Sequence, residues 1–193
     1  MSVLLISATS GRLLGTINIF YHIIKVSCII ILMQTLILPG YSKENKEWVD
    51  EVANNLDIGG IIRPFHWAHW ADNTNNFDSS EKAELIVKHV KGDDLNIIAK
   101  SFGTLVASKL YLLIPNQIKK IIFCGIPIND LHEDEIVTIK NCLNSNHNDF
   151  IAFQNSKDPH GTYDEVKDFG NVKYFEGDTH TYPYFSEFQK FLV

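Results

Sequence analysis

From Gln34 onward the chain alternates between short, solid apolar runs and longer segments in which apolar residues recur every three to four positions. The first pattern reads as buried strand and the second as amphipathic helix, with Gly and Pro marking the turns between them. "QTLILPG" is a strand closed by Pro39-Gly40. "KENKEWVDEVANNL" places Trp48, Val49, Val52, Ala53 and Leu56 on one helical face, with Ser42 available as its cap and Gly59-Gly60 beyond its end. "IIRPF" begins a second strand, and "HWAHWADNTNNFDSS" is a polar, aromatic loop. "EKAELIVKHV" is the next helix, capped by Asp78 or a following serine. "DLNIIAK" is a third strand, and "FGTLVASKLYLLI" is a helix that stops before Pro115.

The cycle then repeats. "IKKIIFCGIP" predicts a strand, and "DLHEDEIVTIKNCLN" a helix whose cap region and first turn are acidic, where the helix dipole favours negative charge. "DFIAFQNSKDP" is a strand with its exit loop, "TYDEVKDF" a short helix, and "NVKYFEGDTH" the last strand and loop. "YPYFSEFQKFL" closes the chain as a helix with Phe185, Phe188 and Leu192 on one side. Six strands separated by helices predict an α/β fold, a mostly parallel six-stranded sheet with helices on both faces, in one domain over residues 34–193.

Residues 1–33 stand apart. "INIFYHIIKVSCIIILM" is apolar and follows Arg12, but Asn18, His22 and Lys25 interrupt it and no small-residue cleavage site follows. Three readings stay open for this leader: upstream sequence read in frame ahead of a start at Met33, a membrane anchor, or an extra packed element. Composition adds little beyond class. Hydrophobic residues at 45% and charged residues at 21% are those of an ordinary globular protein. A net charge of −6 without a Lys/Arg stripe argues against a nucleic-acid partner. Cys28, Cys124 and Cys142 are odd in number and lack C-x-x-C spacing, as expected of reduced structural thiols in a cytoplasmic protein.

In parallel sheets, ligands bind beyond the carboxyl ends of the strands. The strand exits here carry Pro39-Gly40-Tyr41, His66 to Trp70, Ser101, Pro127 to Asp130, Asp158 and His180. A serine, an acid and a histidine therefore occur at three exits, in that order. For a hydroxyl to attack a carbonyl at neutral pH, an imidazole must take its proton and a carboxylate must hold that imidazole in the right tautomer.

On "AKSFG", "QNSKDPHG" and "EGDTHTYP" the chain resembles the α/β-hydrolase superfamily, and within it the small serine hydrolases without a lid, over roughly residues 34–193. The family's nucleophile elbow is G-x-S-x-G; here Ala99 stands at the first glycine. The resemblance implies that Ser101 attacks, His180 acts as base and then acid, and Asp158 orients His180. It also implies an oxyanion hole from the backbone N–H groups of Phe102 and Tyr41, and no cofactor. Structural roles compete for each residue: a helix cap for Ser101, a turn residue for Asp158, a surface histidine for His180. Asp130 and Asp72 are rival acids, and "INDLHEDE" also reads as a helix cap with Asp130 in it. His160 is a rival base, but it lies in the same loop as Asp158.

In "HWAHW", Trp67, His69 and Trp70 line an acyl pocket or pack over the helix that follows. His66 and His69 have no recognised metal-ligand spacing with His160 or Asp158, so no metal is expected. The expected function is hydrolysis of a carboxylic ester, thioester or small amide through an acyl-enzyme, with a small acyl substrate as partner. Contact with a membrane is expected only if the leader is an anchor. The alternative is a hydrolase-like binding module with a dormant triad.

Overall fold

The computed structural model describes residues 33–72, 76–90 and 92–193. The leader reading lies outside these residues except for Met33, which is the first residue of a strand. The strands are β1 (Met33–Leu38), β2 (Ile61–Pro64), β3 (Asp94–Lys100), β4 (Ile118–Cys124), β5 (Phe150–Asn155) and β6 (Val172–Phe175). The helices are α1 (Asn45–Asn55), α2 (Ser79–His89), α3 (Phe102–Leu113), α4 (Glu133–Ser145), α5 (Tyr163–Val166) and α6 (Phe185–Leu192). The strands form one sheet in the order β2-β1-β3-β4-β5-β6, every neighbouring pair parallel.

The central strands carry short apolar runs, over residues 36–38, 97–99 and 121–124, because both of their faces are covered there. Leu36, Leu38, Ile97, Ala99, Ile121 and Phe123 pack with residues of α2, α3 and α4. The alternate residues Ile37, Ile98, Ile122 and Cys124 pack with Trp48, Val49 and Val52 of α1 and with Phe188 and Leu192 of α6. From β1 the chain crosses through α1 to β2 on one side, then returns through α2 to β3 on the other. Right-handed crossovers in opposite directions put α1 and α2 on opposite faces. They also open a crevice beyond the carboxyl ends of β1 and β3.

Two helix starts differ from the sequence expectation. Ser42 does not cap α1: its hydroxyl accepts from the Glu44 amide (3.3 Å) and its carbonyl from the Asn45 amide (3.1 Å), a turn ahead of the helix. Asp130 does not cap α4, which begins at Glu133, with the Glu135 carboxylate accepting from the His132 amide. Asp78 does cap α2, accepting from the amides of Ser80 and Glu81. Cys124 and Cys142 are buried and free; burial pushes the Cys142 thiol up to about 12 and the Cys124 thiol higher still, so neither is a nucleophile at neutral pH. Cys28 lies outside the described residues. Among the described residues no helix is long and apolar enough to cross a membrane.

Candidate active site

Between the last residue of β3 and the first of α3 there is one residue, Ser101, and the chain must reverse at it. Its φ of 54° and ψ of −129° make it the only non-glycine with positive φ among the described residues. Such a conformation costs on the order of 1–3 kcal/mol and persists where neighbours impose it. Here the Ser101 amide donates to the Cys124 carbonyl (3.0 Å), and its own carbonyl accepts from the amide and hydroxyl of Thr104 (2.9 and 2.7 Å). The glycine two positions on is sterically required: a Cβ at Gly103 would lie 2.4 Å from the Leu38 carbonyl oxygen. Gly40 presses from the other side, where a Cβ would come 2.8 Å from the Ser101 Cβ. Ala99, in place of the family's first glycine, is fully buried in the core. The Ser101 side chain makes no capping bond to α3, which removes the helix-cap role as the reason for serine here.

Asp158 and His180 meet at the neighbouring exits. His180 Nδ1 lies 2.7 and 2.9 Å from the two carboxylate oxygens of Asp158. The carboxylate also accepts from the Tyr182 hydroxyl (2.5 Å) and from the His160 amide (2.9 Å). Burial pushes the Asp158 carboxyl up, but the hydrogen bonds from His180, Tyr182 and His160 outweigh it and hold the group below its ordinary value. Burial likewise depresses His180, and the hydrogen bond and charge of Asp158 only partly restore it, so the imidazole is neutral at neutral pH. With Nδ1–H committed to Asp158, the basic lone pair is on Nε2, which is buried and unpartnered among the described residues.

The exit of β4 adjoins both the serine and the histidine. Ser101 hangs from the Cys124 carbonyl, and a Cβ on the next residue, Gly125, would lie 2.8 Å from His180 Cε1. No hydrogen bond joins Ser101 Oγ to His180 Nε2; such bonds are often long in unliganded sites and tighten with substrate. The rival residues have other partners. Asp130 sits in a 3-10 turn (Ile128–Asp130) and pairs with His160 Nδ1 at 2.5 Å; the His160 ring packs against that of His180, centroids 4.5 Å apart. Asp72 ends the turn that follows Trp70, its amide donating to the Ala68 carbonyl (3.3 Å).

Phe102 opens α3, so its amide has no partner within the helix. The Tyr41 amide donates to no group among the described residues. Trp67, His69 and Trp70 gather around the Tyr41 loop, and the Tyr41 ring stacks on His69 at 4.8 Å. The Trp67 indole donates to the carbonyls of Pro39 and Gly40 (3.1 Å each). His69 Nε2 and Trp70 Nε1 both donate to the Tyr41 carbonyl (2.7 and 2.8 Å). Among the described residues, no group of three metal-ligating side chains converges.

Two residues of the site were not singled out in the sequence. Tyr182, fully buried, is visible only as the second residue after His180. Lys100, just before the serine, is buried with its Nζ donating to Asn45 Oδ1 (2.8 Å) over the Trp48 ring; burial pushes it down to about 8, offset in part by the Asp158 carboxylate.

No family model and no curated protein matches the sequence. Solved structures do match. A YdeN-like hydrolase from Pectobacterium atrosepticum superposes with a TM-score of 0.62 at 13% identity, over 83% of this chain and 90% of that one. Est1E from Butyrivibrio proteoclasticus, solved with ferulic acid, superposes with a TM-score of 0.61 at 15% identity, over 84% and 88%. The chain has the α/β-hydrolase fold. An α/β serine hydrolase without a lid from Xanthomonas campestris is similar as well, with a TM-score of 0.55 at 15% identity, over 80% and 76%. In the α/β-hydrolase fold of this chain, Ser101, Asp158 and His180 all follow the carboxyl ends of strands.

Proposed function

We propose that the protein is a serine hydrolase that cleaves a carboxylic ester, thioester or small amide through an acyl-enzyme. Ser101 Oγ attacks the carbonyl carbon as its proton passes to His180 Nε2. The resulting imidazolium is stabilised by Asp158, and the amides of Tyr41 and Phe102 receive the negative oxygen. Collapse of the tetrahedral adduct expels the alcohol, thiol or amine, which takes the proton from His180. Water then enters by the same route in reverse roles, freeing the acid and Ser101.

The observation that carries this reading is the strained turn at Ser101 beside an Asp158–His180 pair whose Nε2 is unengaged. A turn of 1–3 kcal/mol cost is hard to explain by packing alone, since the side chain caps nothing. Ser101→Ala, folded as judged by circular dichroism, is expected to lose p-nitrophenyl acetate turnover and fluorophosphonate labelling. Labelling that survives in the variant overturns the assignment of the nucleophile. Absence of labelling of the native protein between about pH 6 and 9 favours the binding module instead.

A further inference from the structure

The segment "HWAHW" is the part of the sequence that the proposed chemistry leaves unused. Its Trp67, His69 and Trp70 side chains face the loop after β1, where four successive carbonyls are each taken by a side-chain donor. Trp67 holds those of Pro39 and Gly40, His69 and Trp70 hold that of Tyr41, and Asn45 Nδ2 holds that of Ser42 (2.9 Å). A trans peptide is planar, with its C=O and N–H pointing in opposite directions; the peptides here are all trans. Fixing the Gly40 carbonyl therefore fixes the direction of the Tyr41 N–H, which points away from Trp67 with no acceptor among the described residues. The same loop touches the nucleophile, since Gly40 packs against the Ser101 Cβ.

We propose that Trp67 is a positioning residue: its indole N–H, by holding the Gly40 carbonyl, sets the Tyr41 amide for the oxyanion. This rests on the serine hydrolase reading above. Pocket-wall aromatics contribute area, and their N–H groups are free to serve a ligand. Here the Trp67 ring is buried (5% exposed), and its single donor is spent on the chain's own backbone. A donor aimed at an oxyanion acts on the transition state rather than on the bound substrate. Loss of one such donor costs on the order of 10²–10³ in kcat, and loss of its support a part of that.

The test replaces Trp67 in two ways, by Trp67→Phe and by 3-benzothienylalanine, which keeps the bicyclic shape and lacks only the N–H. With p-nitrophenyl acetate, both proteins are expected to show kcat reduced about tenfold or more and KM within about twofold, as loss of a transition-state donor requires. Affinity for a small boronic acid, which forms a tetrahedral adduct on the serine, falls by the same factor as kcat/KM. A kcat within twofold of the native protein overturns the proposal, as does a rise in KM alone, which would make Trp67 a pocket wall. Failure of the benzothienylalanine protein to fold also overturns it, since the bond would then be a fold determinant. A native protein inert toward both ester and boronate removes the hydrolase reading itself, a result distinct from any of these.

Discussion

Asp158 is nearly inaccessible to solvent (1% exposed) yet is surrounded by donors: an imidazole, a phenol and a backbone amide. A buried carboxylate with one donor removed bears the desolvation of the vacated lone pair, about 1–3 kcal/mol. Tyr182→Phe removes that donor and also strands the Asn155 amide, which donates to the Tyr182 hydroxyl (3.2 Å). The variant is expected to unfold at lower urea, by about 1–3 kcal/mol at pH 7, with Ser101 still reactive toward fluorophosphonate. Unchanged stability would mean that water replaces the phenol and the carboxylate is not sealed. The residue types of the site were legible because each follows a strand. Tyr182, and the partners of Trp67, were not, because a carboxylate 24 positions from Tyr182 and carbonyls 27 and 28 positions from Trp67 come near only in the folded chain.

At the scale of elements, the site is a consequence of how closely α3 approaches β1. The approach leaves no room for a side chain at Gly103, whose Cβ would meet both the Leu38 and the Pro39 carbonyl oxygens, at 2.4 and 2.7 Å. Gly103→Ala must push α3 outward, at a cost of about 1–3 kcal/mol as in other overpacked cores. Because α3 begins one residue after Ser101, turnover is expected to fall as well. Gly59→Ala is the control: a Cβ there meets nothing within 4 Å, so stability and activity should stay within experimental error. Equal effects of the two substitutions in urea unfolding and ester assays would remove the steric reading of the elbow. The strands were readable because each is built on a short apolar run, and β3 spans the same residues that the pattern marks, Asp94 to Lys100. Helix starts were less so. α1 begins at Asn45, whose side chain accepts from Lys100, 55 positions away, and Asp130 stands outside α4, paired with His160.

The whole molecule carries a formal charge of −6, yet the residue before its proposed nucleophile is a buried lysine (7% exposed). Burial lowers Lys100 from the ordinary 10.5 to about 8, while the unfolded chain keeps the ordinary value. Between these two pH values the unfolded state therefore holds more proton than the folded one, and stability rises with pH across that window. The gain is on the order of 3 kcal/mol if the shift is fully expressed. Titration of surface lysines and tyrosines over the same range makes an acidic protein more negative and works the other way. That opposing effect is common to the native protein and Lys100→Met, so their difference isolates the buried group. Lys100→Met leaves Asn45 Oδ1 without its donor and is expected to be less stable at pH 10.5. As pH falls from 10.5 to about 8, the native protein alone takes up the buried cation, so the deficit of the variant shrinks or reverses, and below that it changes no further. Urea unfolding of both proteins from pH 7 to 10.5 measures that difference; parallel profiles would mean that Lys100 titrates like a solvated lysine, with no cation held in the interior beside Ser101.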